Sequence, residues 1–142
     1  MGPNGAGKST TIRLLTGLAQ PTRGRAWVAG EEINAASRGS RKLAARIGSL
    51  PEDPAFYNWM TPVEWIDHIG RLFGLRGAER QARTTRLLEQ VGLAQVSKRR
   101  IAGFSRGVRQ RLGIAQALVN QPEVLFLDET ASALDPAGRK EV

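Results

Sequence analysis

Short apolar runs alternate along the chain with longer segments whose apolar residues keep helical spacing. The short runs at residues 25–29, 47–50 and 124–127 lie between glycine, proline or acidic residues, which predicts β-strands. The last run is continuously apolar, as in a buried strand of a parallel sheet. Helical spacing predicts helices over residues 8–18, 61–73 and 79–91, and a further helix from Ser105 onward.

Capping and stop signals support these helices. Thr61 and Glu64 form a capping box with Pro62 at the first helical position, and Gly92 is suited to end the third helix. The apolar positions that define the second and last helices are Val63, Ile66, Ile69, Phe73, Val108, Leu112, Ala115 and Val119.

The order of these elements predicts an α/β fold. Helix and strand alternate at both ends of the chain, and a helical block lies between them. A chain of 142 residues has room for one core. We therefore predict one domain over residues 1–142. Its α/β core, a parallel sheet with flanking helices, takes residues 1–55 and 121–142, and an inserted helical subdomain takes about residues 56–120.

Composition narrows the possible functions only slightly. The absence of cysteine excludes disulfides and thiolate metal sites, and no apolar run approaches the roughly 20 residues of a membrane span. The net charge is +8, and six basic residues but no acid lie between Lys98 and Arg111. Such a run fits nucleic acid, anionic lipid or nucleotide phosphates, but also a solvated helix face.

The start of the chain matches the phosphate-binding pattern G-x-x-x-x-G-K-S/T. Glycines let consecutive backbone N–H groups face phosphates, and the N-terminus of the following helix adds partial positive charge. Lys8 would supply charge to the β- and γ-phosphates, and the Ser9 hydroxyl is a suitable Mg²⁺ ligand. The structural alternative is a glycine-rich turn that opens a helix. The predicted nucleotide-binding residues are Gly2, Pro3, Asn4, Gly5, Ala6, Gly7, Lys8, Ser9 and Thr10.

A pair of acids follows the apolar run at residues 124–127. Asp128 and Glu129 stand at the carboxyl end of the predicted strand, where α/β sheets bind their ligands. Asp128 would hold Mg²⁺, and Glu129 would polarise the attacking water as general base. Many strands end in an acid, so this pair gains its meaning from the phosphate loop upstream.

Three further segments carry a family resemblance. Residues 104–112 read F-S-R-G-V-R-Q-R-L and resemble the L-S-G-G-Q-R-Q-R-L signature of ATP-binding-cassette (ABC) ATPases. Residues 132–136, S-A-L-D-P, resemble the family's D-loop, and residues 47–52, I-G-S-L-P-E, resemble the segment that ends at its Q-loop. Together with the phosphate loop these motifs stand in the family's order, so the chain is identified as a member with a P-loop NTPase core.

The resemblance implies a role for each motif. ATP and Mg²⁺ are the implied cofactors. Ser105, Arg106 and Gly107 of the signature would contact ATP held by a second subunit, and Asp135 would belong to the dimer-contacting D-loop. Glu52 occupies the Q-loop position, where its carboxylate would contact Mg²⁺ and the attacking water; the alternative is an exposed loop residue. The predicted catalytic residues are Glu129 and Glu52, and the predicted metal ligands are Ser9, Asp128 and Glu52.

The wording of the motifs is most similar to the ATPases of ABC-2-type exporters. This similarity implies a dimeric, cytoplasmic subunit, peripheral on the inner face of the cell membrane, that powers transport through a separate integral membrane permease, with no direct nucleic-acid contact. The aromatic-rich residues 56–65 either receive the permease or pack locally. The alternatives are a non-transport ABC ATPase that acts on nucleic acid or ribosomes, and a catalytically incomplete fragment.

The resemblance also predicts that the chain is truncated at both ends and that its parallel sheet is therefore incomplete. The strand that presents the phosphate loop and the switch histidine after Asp135 are missing from the sequence, and His68 lies in the helical block as an ordinary helix-face residue. We therefore expect the isolated chain to be inactive and to expose the edges of its remaining apolar strands, such as residues 124–127.

Overall fold

The computed structural model describes residues 7–128, which form an α/β structure with a small parallel sheet and several helices, as predicted. Three short 3₁₀ turns complete the described part. In chain order the helices and strands are α1 (Lys8–Leu15), β1 (Trp27–Val28), β2 (Glu31–Glu32), α2 (Arg41–Arg46), β3 (Ile47–Leu50), α3 (Pro62–Leu72), α4 (Gly77–Gln90), α5 (Arg106–Ala117) and β4 (Val124–Leu127).

The boundaries of most predicted elements are confirmed. β3 and β4 have the predicted limits, and α3 begins with a complete capping box in which Thr61 and Glu64 bond each other's backbone N–H groups. α1 ends at Leu15, before the predicted residue 18, because Gly17 takes a φ of +74° and leaves the helix. α4 starts two residues before the predicted position and ends just before Gly92, which has a φ of +69°.

The strand β2 and the helix α2 were not predicted from the sequence. β1 lies inside the strand predicted for residues 25–29 but has only two residues, and it pairs antiparallel with β2. α2 has only six residues and begins after Ser40, whose side chain accepts a hydrogen bond from the Leu43 backbone N–H at 3.3 Å. So short a helix lacks the repeated apolar spacing on which the prediction depended.

β3 and β4 lie parallel and in register, with Ile47 opposite Val124 and Leu50 opposite Leu127. The prediction that β4 is buried is wrong for one of its faces, because Leu127 is 46% exposed and the side chain of Leu125 is also exposed. α5 lies over β3 rather than β4, so it leaves that face of β4 partly uncovered among the described residues. The opposite face, with Val124 and Phe126, packs against a small core.

The described residues have two apolar clusters. The smaller one lies beside the sheet and the larger one between α3, α4 and α5. On α3 the buried side chains include Trp65 and Ile66, whereas Val63 and the C-cap residue Phe73 are exposed. Between residues 7 and 128 no helix has both the length and the hydropathy needed to cross a bilayer. The division of the chain into core and helical subdomain stays a prediction.

Two polar side chains fasten β4 beside β3. Arg46, at the end of α2, donates to both carboxylate oxygens of Glu123 at 2.8 and 3.2 Å and to Glu31 at 3.2 Å. The hydrogen bond from Arg46 lowers the pKa of Glu123, so this pairing is lost as the pH falls through that lowered pKa. Asn120 donates to the carbonyl oxygens of Ala44 and Ile47, both at 2.8 Å. These bonds fix the start of β4 and hence the position of Asp128 at its end.

α5 approaches β3 closely because glycines stand on both sides of the contact. A Cβ at Gly48 would overlap the Ala117 carbonyl oxygen of α5, and a Cβ at Gly113 would overlap the Leu50 side chain of β3. The first overlap is with backbone, which cannot rotate away as a side chain can. The helix that carries the signature is therefore held against the strand that leads to Glu52.

We predict that Gly48→Ala destabilises the complete protein by about 1–3 kcal/mol, because the added methyl group separates α5 from β3. The measurement is the midpoint of urea unfolding. Gly103→Ala is the matched control, since a Cβ at Gly103 meets no atom within 4 Å. Equal midpoints for Gly48→Ala and the wild-type protein would contradict this account of the contact.

Candidate nucleotide site

The start of α1 and the end of β4 meet at one hydrogen bond. The Ser9 hydroxyl donates to the Asp128 carboxylate (Oδ2) at 2.9 Å, although the two residues are 119 positions apart. Asp128 is placed by its backbone N–H, which donates to the Leu50 carbonyl oxygen at 3.0 Å and so extends the pairing of β4 with β3. The structure thus brings together two of the three predicted metal ligands.

The described residues at the entry to α1 form a helix N-terminus of a kind that suits an anion. Gly7 caps the helix with a φ of +81°, a conformation that is strained for residues with a Cβ. Its carbonyl oxygen accepts hydrogen bonds from the Thr11 backbone N–H and hydroxyl, both at 2.9 Å. Lys8 is half-buried, and Ser9 and Thr10 are exposed at the same helix end. The N–H groups of this first turn have the orientation that anions prefer at helix N-termini.

The Ser9 and Asp128 oxygens are the kind of ligands that Mg²⁺ binds. Mg²⁺ is usually held by one or two protein oxygens together with water and substrate phosphates. No cluster of three or more His, Cys, Asp or Glu side chains that could hold a metal forms among residues 7–128. The donor set therefore fits an ion that shares its coordination with a nucleotide.

Glu52, the third predicted metal ligand, is placed against the signature helix instead. Its carboxylate lies 3.6 Å from the Arg106 guanidinium, and its backbone carbonyl accepts a hydrogen bond from the Gln110 side chain. Within the described residues it makes no hydrogen bond or ion pair with Ser9 or Asp128. Its role in metal binding and catalysis stays a prediction.

The signature residues open α5. Ser105 is the N-cap, and its hydroxyl accepts a hydrogen bond from the Val108 backbone N–H at 3.4 Å. Ser105 and Arg106 are exposed and Gly107 is half-buried, so this helix end is accessible from outside. The predicted contact with a second subunit is compatible with that exposure and stays a prediction.

The remaining predicted site residues lie outside residues 7–128. They are Gly2, Pro3, Asn4, Gly5, Ala6, Glu129 and Asp135.

Gln110 is a residue that motif matching did not single out. It is 2% exposed and donates to the Glu52 carbonyl oxygen, while its own side-chain oxygen has no hydrogen-bond partner in the described structure. An unsatisfied buried acceptor of this kind costs about 1–3 kcal/mol. The sequence contained one signal for Gln110: helical spacing places residues 106, 109, 110 and 113 on one face of a helix.

The basic residues between Lys98 and Arg111 lie in different surroundings. Arg109 donates to the Asn58 side chain at 3.0 Å and lies over the Phe56 ring at 5.1 Å, and Arg106 faces Glu52. These two cations therefore have partners within the chain. Residues 98–100 are exposed, which fits both a solvated run and an anion-binding surface.

The aromatic residues after β3 serve two roles. Phe56 and Trp65 are buried against each other at 5.6 Å between ring centroids, and Trp65 donates to Gln116 at 2.9 Å. Tyr57 and Trp59 stack at 4.6 Å and remain exposed. A cavity of about 400 Å³ lies beside this stack; its lining residues are Trp59, Met60, Glu64, Asp67, His68 and Arg71. Phe56 and Trp65 therefore serve local packing, whereas Tyr57 and Trp59 remain on the surface.

The fold and motifs agree with comparisons to known proteins. The family model described as ABC transporter matches residues 1–132. The chain therefore belongs to the ABC transporter family, as the motifs predicted.

Individual relatives give the same assignment. The chain is 49% identical to the uncharacterized ABC transporter ATP-binding protein YxlF of Bacillus subtilis over an alignment of 143 residues. The alignment covers all of this chain and 45% of that protein. The chain is 41% identical over its full length to the bacitracin transport ATP-binding protein BcrA of Bacillus licheniformis, 44% of which it covers. A solved ATP-binding subunit of an ABC transporter matches 99% of this chain and 57% of its own, with a TM-score of 0.83 and 31% identity. The chain thus spans less than half the length of these two curated relatives.

We predict that Asp128→Asn in the complete protein lowers the Mg²⁺-dependent gain in ATP affinity by about tenfold or more, because the neutral amide is a weaker ligand for a hard cation. ATP titrations with and without Mg²⁺ measure that gain. Glu89→Gln, at an exposed carboxylate on α4, is the control and should leave the gain unchanged. The assignment fails if Asp128→Asn keeps the wild-type dependence on Mg²⁺.

Proposed function

We propose that this chain is the nucleotide-binding part of an ATP-hydrolysing subunit of an ABC exporter. The observation that carries the proposal is the 2.9 Å hydrogen bond between Ser9 and Asp128. It joins a phosphate-loop hydroxyl to an acid at the carboxyl end of a parallel strand, the arrangement with which P-loop NTPases hold Mg²⁺. The membership in the ABC transporter family supports the same conclusion.

In this proposal the chain binds ATP and positions its phosphates. Lys8 and the N–H groups of the first turn of α1 bind the phosphate oxygens, while Ser9 and Asp128 hold Mg²⁺. The ion, when bound, neutralises charge on the β- and γ-phosphates. Glu129 accepts a proton from the attacking water, and Glu52 orients that water. Catalysis of this kind depends on positioning and charge rather than on covalent chemistry.

A second copy of the subunit is a proposed partner. The exposed Ser105 hydroxyl and the N-terminus of α5 form a surface that favours an anion. In the proposed dimer this surface contacts the γ-phosphate of ATP bound by the other subunit, and Asp135 contacts the same neighbour.

An integral membrane permease is the second proposed partner. The exposed stack of Tyr57 and Trp59 beside a cavity offers an apolar surface of the kind that binds a protein segment. The name of BcrA refers to bacitracin transport, and its 41% identity supports a transport role. On this proposal the subunit lies on the cytoplasmic face of the membrane and the permease selects the substrate.

We predict that Lys8→Ala in the complete protein weakens ATP binding by about tenfold or more, because a charge-assisted contact to phosphate is lost. Isothermal titration with ATP and Mg²⁺ measures the affinity. Lys42→Ala, which removes an exposed cation paired with Glu31 at 2.8 Å, is the control and should bind ATP normally. Unchanged affinity after Lys8→Ala would refute the phosphate-loop assignment.

We also predict that two inactive variants recover ATPase activity when mixed. In a mixed dimer of Lys8→Ala and Ser105→Arg, one composite site combines an intact phosphate loop with an intact signature, and the other site is damaged twice. Phosphate release should therefore exceed that of either variant alone. A protein that is monomeric during turnover and hydrolyses ATP at the full rate would exclude the dimer.

A further inference from the structure

One face of the signature helix contacts the loop that follows β3. Residues 106, 109, 110 and 113 of α5 follow the spacing i, i+3, i+4 and i+7, which places them in one row. Arg106 faces the Glu52 carboxylate, and Arg109 donates to Asn58 at 3.0 Å. At Gly113 an added Cβ would approach Pro54 to 3.2 Å, so the loop lies directly on the helix there. The row therefore follows the loop from residue 52 to residue 58.

Gln110 makes a buried hydrogen bond in this row. Arg106 and Glu52 are both largely exposed, with side chains 64% and 53% accessible, so water screens their interaction. Gln110 is 2% exposed, and its side-chain N–H donates to the Glu52 backbone carbonyl. A hydrogen bond shielded from water is electrostatically stronger and more sensitive to geometry than one at the surface. The Gln110 side chain therefore fixes the backbone of Glu52 relative to α5.

We propose that Gln110 is a positioning residue that joins the Glu52 loop to the signature helix. By holding the Glu52 backbone against α5, it fixes the position of the Glu52 side chain relative to Ser105 at the start of that helix. Gln110 acts through Glu52 and touches no phosphate itself. This inference rests on the proposed function, because it gives Gln110 a part in ATP hydrolysis.

A second glutamine on the same helix provides a matched comparison. Gln116 is half-buried and accepts a hydrogen bond from the Trp65 indole N–H at 2.9 Å, a contact between α5 and α3 that does not involve residues 52–58. Both glutamines bind a partner element through one side-chain hydrogen bond. A loss of activity in a Gln110 variant, but not in a Gln116 variant, would therefore arise from the loop that Gln110 holds.

The first test compares Gln110→Met with Gln116→Met in the complete protein. Methionine preserves length and volume, but it cannot donate a hydrogen bond, as Gln110 does, and it is only a weak acceptor in place of Gln116. Gln110→Met should lower kcat by about tenfold with a KM for ATP close to the wild-type value, because misplacing a catalytic group costs rate more than substrate binding. Hydrogen exchange of residues 52–58 should become faster. Gln116→Met should lower thermal stability without changing kcat or exchange in that loop.

The second test is a double-mutant cycle. In a Glu52→Ala protein the side chain that Gln110 positions is gone, so adding Gln110→Met should lower kcat less than about twofold. A full tenfold further loss would show that Gln110 acts by another route and would overturn the inference.

The turnover rate and the hydrogen exchange of residues 52–58 together separate this inference from the proposed function. An inactive wild-type protein would contradict the proposed function, and the exchange of residues 52–58 would still decide whether Gln110 holds the loop. An active protein in which Gln110→Met changes neither kcat nor loop exchange would overturn the inference alone.

Discussion

The close contact of α5 with β3 is the constraint on which the rest of the structure depends. Gly48 and Gly113 remove the side chains that would separate the helix from the strand. Because β3 leads into the Glu52 loop and Ser105 caps the start of α5, the contact determines how far apart two predicted functional segments lie. A larger residue at Gly48 would clash with the backbone of α5, and backbone atoms cannot move aside by changing rotamer.

The sheet transmits that constraint to the start of α1. β4 is held in register with β3 by its strand pairing, and Asn120 and Arg46 fasten its start. Asp128 therefore emerges one residue beyond the paired strands, where it accepts the Ser9 hydrogen bond. The site is built at the carboxyl edge of the parallel pair, where α/β folds place their ligands.

Local sequence signals predicted elements well where they were long or strongly capped. The capping box at Thr61 and the stop at Gly92 are properties of a few neighbouring residues, and both appear in the structure. Six-residue α2 and two-residue β2 escaped prediction because they are too short to show a period. The burial of β4 was overestimated, since an apolar run does not reveal whether another element covers both of its faces.

The sequence by itself predicted the chemistry of the site, because the phosphate-loop, strand-end and signature motifs are read from adjacent residues. It also determined the family. Only the tertiary structure decided that Ser9 meets Asp128 across 119 positions and that Gln110 binds the Glu52 carbonyl across 58. It also placed the Glu52 carboxylate beside Arg106 rather than in contact with Ser9 or Asp128. Local patterns follow from backbone geometry within a few residues, whereas these contacts depend on how helices and strands pack, which neither spacing nor composition specifies.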